Sequence, residues 1–112
     1  LNEVAIRWSA QPIDVVGWAT DGLLAVSIAV PPVKTVSSRV VSDFVDVAGA
    51  DVLPLFRPDE ARPNKVSVRR VRELGESEWQ WISEPVEGIA ITAPEILIMR
   101  AEIQRFEREP RS

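Results

Sequence analysis

The sequence predicts an α+β fold, and three observations carry the prediction. Two short helical segments open the chain, a central stretch is rich in β-branched residues and turn signals, and an apolar-periodic segment lies near the C-terminus. At 112 residues, 46% hydrophobic and 27% charged, the composition is that of a globular protein able to bury one core. The expected arrangement is therefore one domain, 1–112: a helix pair (1–22), a sheet region (23–92) with a Pro-rich loop near 54–65, and a C-terminal helix (93–109).

Each element has its own signal. Over 1–9, Leu1, Val4, Ala5 and Trp8 recur at helical spacing, leaving Asn2, Glu3 and Arg7 for solvent. Over 12–21, Pro12 suits a first helical turn, Ser9 or Gln11 supplies a cap, and Gly22 fits the left-handed residue that ends the helix; Ile13, Val16 and Ala19 then face inward with Trp18 at an edge. The apolar run 23–30, closed by Pro31-Pro32, reads as a buried strand, and 36–47 as a half-exposed one. Prolines 54, 58 and 63 and the charges around them make 49–64 a loop or edge segment. Leu74-Gly75-Glu76-Ser77 joins 66–73 to 78–82 as a hairpin, which puts Trp79 and Trp81 on one face. A short strand over 88–92 precedes Thr92 and Glu95 at capping-box spacing, and a helix is predicted from about 93 to 107.

Composition narrows the function. Without Cys there is no disulfide, thiolate metal site or thiol redox chemistry; without His and Tyr, the commonest general base and the phenol are missing, and a zinc site would have only carboxylates to draw on. Glu76, Glu78, Glu84 and Glu87 lie in turn-like sequence that favours solvation, and Asp43 and Asp46 read as the polar face of a strand. The five glycines are scattered, so no phosphate-binding loop forms. The chain is thus expected to be non-enzymatic, with no cofactor and no metal. The longest apolar stretch is far short of the roughly 20 residues of a membrane helix, so no membrane association is expected. No targeting signal is seen, which makes the cytoplasm the default location. Leu1 in the place of an initiator Met suggests a domain of a larger protein.

Two surfaces stand out as candidates. Residues 57–73 hold six basic against three acidic side chains; Arg62, Lys65, Arg69, Arg70 and Arg72, followed by the tryptophans, combine charge with stacking platforms, as in single-strand binding. The alternative is that the tryptophans are core and the arginines lie on a solvated or edge strand. In the C-terminal helix, Ile96, Met99, Ile103 and Phe106 form an apolar stripe. Most of it should pack on the sheet, while Ile103 and Phe106 in the charged final turns are candidates to protrude toward a partner or a second copy, giving a homodimer.

Leu1-Asn2-Glu3-Val4-Ala5 and Trp18-Ala19-Thr20-Asp21-Gly22-Leu23 resemble the helix start and helix end of excisionase-like and MerR-like helix-turn-helix modules. The likeness covers about residues 1–25 and implies a helix-turn-helix-like pair used for DNA binding in phage, mobile-element or regulatory proteins. Here an apolar strand, 24–30, stands where those modules have a basic wing, and residues 1–33 carry Arg7 against Glu3, Asp14 and Asp21. That balance is the wrong sign for phosphate contact. The expected function is a non-enzymatic interaction or regulatory module, with another protein or a second copy as partner, in a larger bacterial or phage-related protein. Its contact residues would be Trp79, Trp81, Ile103 and Phe106. The alternative is a nucleic-acid-binding regulator acting through Arg62, Lys65, Arg69, Arg70 and Arg72.

Overall fold

The computed structural model describes residues 1–57 and 62–109. The chain opens with α1 (Asn2–Arg7) and α2 (Pro12–Thr20). Ser9 takes a left-handed φ of 53° in the turn between them. The start of α2 is closed by the Asp14 carboxylate, which accepts from the Gln11 amide at 3.1 Å, and Gly22, at φ 80°, turns the chain out of it.

Among the described residues six strands follow: β1 (Val26–Thr35), β2 (Val40–Val47), β3 (Val66–Val68), β4 (Arg70–Glu73), β5 (Gln80–Glu84) and β6 (Ile89–Ile91). A short α3 (Gly49–Val52) and a 3₁₀ turn (Leu53–Phe56) lie between β2 and β3, and a second 3₁₀ turn (Ala93–Glu95) precedes α4 (Arg100–Arg108). The fold is α+β, with every strand pair antiparallel. Strands β1, β2, β4 and β5 close into a barrel, and β3 pairs with β6 as a separate ribbon.

Alternation of side chains along these strands builds the core. Val26, Ile28 and Val30 of β1 and Val41, Val45 and Val47 of β2 point inward and meet Val71 and Ile82, with Val16, Val52 and Leu55 joining the same cluster. A second cluster gathers Ala5, Val15, Leu24 and Phe106, edged by Trp8 and Trp18. Between the layers, Gly49 is buried so close to α2 that a Cβ there would stand 2.5 Å from the Thr20 nitrogen.

The structure corrects several expected boundaries. The strand predicted to end at Val30 runs on to Thr35, because Pro31 and Pro32 occupy a bulge: Val30 pairs with Asp43 and Val33 with Val41. A proline lacks the donor that a ladder needs, and a bulge is where that loss costs least. The second strand begins at Val40 rather than 36, and the first part of the expected loop, 49–56, is helical; positions 58–61 of that loop lie outside the described residues. The segment 66–73 is two strands, switching from the ribbon to the barrel at Arg69. The helix expected from 93 begins only at Arg100. Thr92 and Glu95 do form a reciprocal cap, the Thr92 amide donating to Glu95 at 2.8 Å, yet it closes a 3₁₀ turn. Leu97 then exchanges two backbone hydrogen bonds of 2.8 Å with Ser27, which holds the chain extended before α4.

A tryptophan and arginine face as candidate interaction site

The sequence RVRE of β4 alternates outward arginines around the inward Val71, and Trp79 and Trp81 flank Gln80 at the start of β5 in the same way. Register sets Arg70 opposite Trp81 and Val71 opposite Gln80. The outer face therefore carries a stack in the order Trp81, Arg70, Trp79, Arg72. The Arg70 guanidinium lies 5.9 Å from the Trp81 ring centre and 5.6 Å from that of Trp79, and Arg72 lies 4.7 Å from Trp79. These are cation–π distances.

Each guanidinium is also anchored by an acid distant in sequence. Asp51 of α3 receives Arg70 through two hydrogen bonds, of 2.9 and 3.3 Å. The hydrogen bond to Asp51 raises the Arg70 pKa above its ordinary value against a smaller opposing effect of burial. Asp46 receives Arg72 at 3.1 Å and, through its other oxygen, the Ser27 hydroxyl at 2.9 Å. Ser27, Asp46 and Arg72 are register partners across β1, β2 and β4, so the barrel wall itself aligns this polar row.

Below the row, a cleft of about 710 Å³ is lined by Asp46, Arg70, Arg72 and Trp79 on the barrel side and by Glu102 and Arg105 of α4. Burial opposes the charge of Glu102, but hydrogen bonds from Arg105 and the Ala25 amide, with the positive charges of Arg105 and Arg72, hold its carboxyl below the ordinary value. Arg105 in turn donates to the Leu23 carbonyl at 2.9 Å and to Glu102 and Glu109, so both charges of the α4 wall are engaged. Among the described residues no group of His, Cys, Asp and Glu is arranged to hold a metal ion, and no helix there is long and apolar enough to cross a membrane.

At the open end of the stack the face turns apolar. Trp81 is 55% exposed, and its carbonyl accepts from the Val36 amide at 2.8 Å, so the two residues are neighbours across β5 and the end of β1. Val36 is 71% and Val40 62% exposed. Thr35, Val41 and Ile82 are buried next to them; strand alternation directs Val40 and Trp81 outward, and Val36 stands in the turn that follows β1.

The structure distributes the remaining sequence candidates. Arg62 lines a separate groove of about 670 Å³ with Gln11, Pro12 and Phe56; Lys65 is exposed ahead of β3, and Arg69 is exposed at the switch from β3 to β4. Only Arg70 and Arg72 of the five basic residues line one cleft together. Phe106, expected to protrude, is 3% exposed, because the α4 face that bears it closes over Trp8 and Trp18; Ile103 is half-buried. Val36, Val40, Asp51, Glu102 and Arg105 were not singled out in the sequence, and Asp46 was read only as part of the polar face of a strand. Their roles arise from pairings across the barrel or between α4 and the α2–β1 connection, which leave no local signal. Comparison with protein-family models, with curated proteins and with solved structures finds no match to this chain.

Proposed function

We propose that the chain is a non-enzymatic interaction module that meets a partner protein through the outer barrel face at Trp81, Val36 and Val40. The observation that carries this reading is the exposure of Trp81 and of Val36, whose amide bonds the Trp81 carbonyl, with Val40 exposed at the start of β2. Apolar surface gathered at one place is favoured by contact with another surface, whereas isolated exposed side chains need no explanation. An indole fixed by backbone pairing and by Arg70 also loses little further freedom on binding, which is why tryptophan so often anchors interfaces. Regulation by such a module would run through the partner it holds.

The test is photo-crosslinking from position 81 in cells, with position 108 as control, followed by titration of the captured protein against the purified chain. A discrete partner whose affinity falls at least about tenfold in Trp81→Ala supports the reading. Unchanged affinity in that variant overturns it.

A second reading, nucleic-acid binding, is favoured by the alternation of arginines and indoles on one face. Against it, Arg70 and Arg72 are already engaged by Asp51 and Asp46. Phosphate contact would show as affinity for mixed-sequence DNA that falls steeply between about 50 and about 200 mM salt and disappears in Arg69→Ala/Arg70→Ala. No binding at tens of micromolar would remove this reading.

A further inference from the structure

We infer that the groove beside Trp8 and Trp18 on the helix pair binds a methylated ammonium group, carried by a free small molecule or by a modified lysine side chain. Trp81, Val36 and Val40 take no part in this groove, so the site stands or falls apart from the barrel face.

Helical spacing builds the groove. Asp14, Gly17, Trp18 and Asp21 recur at positions i, i+3, i+4 and i+7, so they share one face of α2 and its C-terminal cap. Trp8, just past α1, joins them in lining a groove of about 550 Å³. The two indoles are half-buried, with ring centres 6.0 Å apart and planes inclined by 54°. Phe106 packs on both, yet it is buried and lines no part of the groove. Gly17 belongs to the lining, and a Cβ there would meet nothing within 4 Å. Glycine weakens a helix interior, and no neighbour requires one at this position. What the missing side chain leaves is open room beside the two indoles.

Charge narrows the ligand. Asp14 and Asp21 stand about 10 Å apart along the helix axis, with Gly17 between them. Both are exposed, and neither is in an ion pair among the described residues. One Asp14 oxygen accepts from the Gln11 amide. Among the described residues no basic side chain lines the groove, and the bases of the adjoining elements are engaged. Arg7 is held by Glu107 through two hydrogen bonds, while Arg105, which donates to the Leu23 carbonyl, is held by Glu102 and Glu109. Glu107 also accepts from the Trp8 indole, which adds a carboxylate at the edge of that ring. Indoles and carboxylates together attract a cation. A primary ammonium or a guanidinium would bring several N–H donors to a groove whose middle, at Ile13, Gly17 and Trp18, has no side-chain acceptor. A quaternary ammonium has no donor to satisfy and meets the indoles through its methyl groups.

The experiment follows the indole N–H resonances of the four tryptophans in the whole chain. The probes are choline, its uncharged tert-butyl isostere, and a short glycine-rich peptide carrying either trimethyllysine or unmodified lysine. Choline and the trimethyllysine peptide are expected to shift Trp8 and Trp18 saturably while Trp79 and Trp81 stay still. Affinity should be about fivefold weaker in Gly17→Gln and in Asp14→Asn/Asp21→Asn. Whichever of the two probes binds more tightly names the source of the group. Glutamine is a good helix former, so Gly17→Gln fills the groove without weakening α2, and the dispersion of the remaining resonances checks the fold. Equal binding of the isostere overturns the assignment of a cation, and equal binding of the unmodified lysine peptide overturns the preference for methyl groups. Affinity unchanged in the aspartate variant overturns the role of the carboxylates. Affinity unchanged in Gly17→Gln, shifts confined to Trp79 and Trp81, or silence from every probe overturns the site itself.

Discussion

The ring of Phe106 lies 4.7 Å from that of Trp8, at an interplanar angle of 34°, and with Trp18 at 5.5 Å it locks α4 onto the N-terminal helix pair. Glu107 next to it accepts from the Arg7 guanidinium at 2.7 and 2.9 Å and from the Trp8 indole at 2.7 Å. Phe106 is the one buried residue of a helix whose other faces are polar. Phe106→Ala should therefore lower unfolding stability by about 3 kcal/mol in urea titrations, the usual scale for deleting a buried aromatic ring. Trp8 and Trp18 emission should move to the red in the same variant. Stability within about 0.5 kcal/mol of the parent would refute the locking role.

The barrel and the helix layer are joined at Gly49. A methyl group there meets the Thr20 nitrogen at 2.5 Å and the Ala19 carbonyl carbon at 2.6 Å, both backbone atoms that cannot swing aside. Gly49→Ala should cost about 1–3 kcal/mol, read from the denaturant midpoint. Gly17→Ala, where nothing stands within 4 Å, should instead gain up to about 1 kcal/mol of helix propensity.

The two tryptophans of the stack should respond differently. Trp79 is half-buried and touches two guanidiniums, so Trp79→Leu should lose about 1–2 kcal/mol and loosen Arg72. Trp81→Leu should stay within about 0.5 kcal/mol. Chemical denaturation of the pair checks this, and equal losses would mean that the stack does not stabilise the β4–β5 hairpin.

Glu102 gives a pH dependence of defined sign. Its folded pKa lies below the ordinary value of 4.5, so the unfolded chain takes up its proton first as acid is added. The stabilisation is fully present above that ordinary value and is lost as pH falls through the folded value. The stability gap between parent and Glu102→Gln should thus be wide at neutral pH and shrink on acidification below about 4. A gap that stays constant with pH would show that Glu102 acts without its charge.

Much of the fold was legible where the signal is local. Pro12 and Gly22 bracket α2, and Leu74 to Ser77 joins two strands, because turn and cap chemistry acts over a few residues. The same logic misleads when a local signal serves a smaller element. Thr92 and Glu95 cap a single turn, and the apolar run after them is claimed by Ser27, seventy residues away in sequence. The candidate site was half visible: Trp79 and Trp81 were expected to share a face, and they do with Arg70 between them. Its anchors Asp46 and Asp51 were not visible, since register across the barrel brings them to the arginines. Nor was the dispersal of the basic run, which follows from the break between β3 and β4 at Arg69.

The bulge at Pro31 and Pro32 bears on how the second side of β1 would meet a foreign strand. Between the contacts of Ser27 with Leu97 and of Lys34 with Glu84, β1 has no partner on its second side among the described residues. A gap of that kind is a template on which a foreign strand could grow. Two consecutive residues without amide donors, set in a kinked stretch, make it a poor one. Replacing both prolines by valine would open a docking edge for misassembly, and the barrel would become a seed for fibres while its hydrophobic core stayed the same.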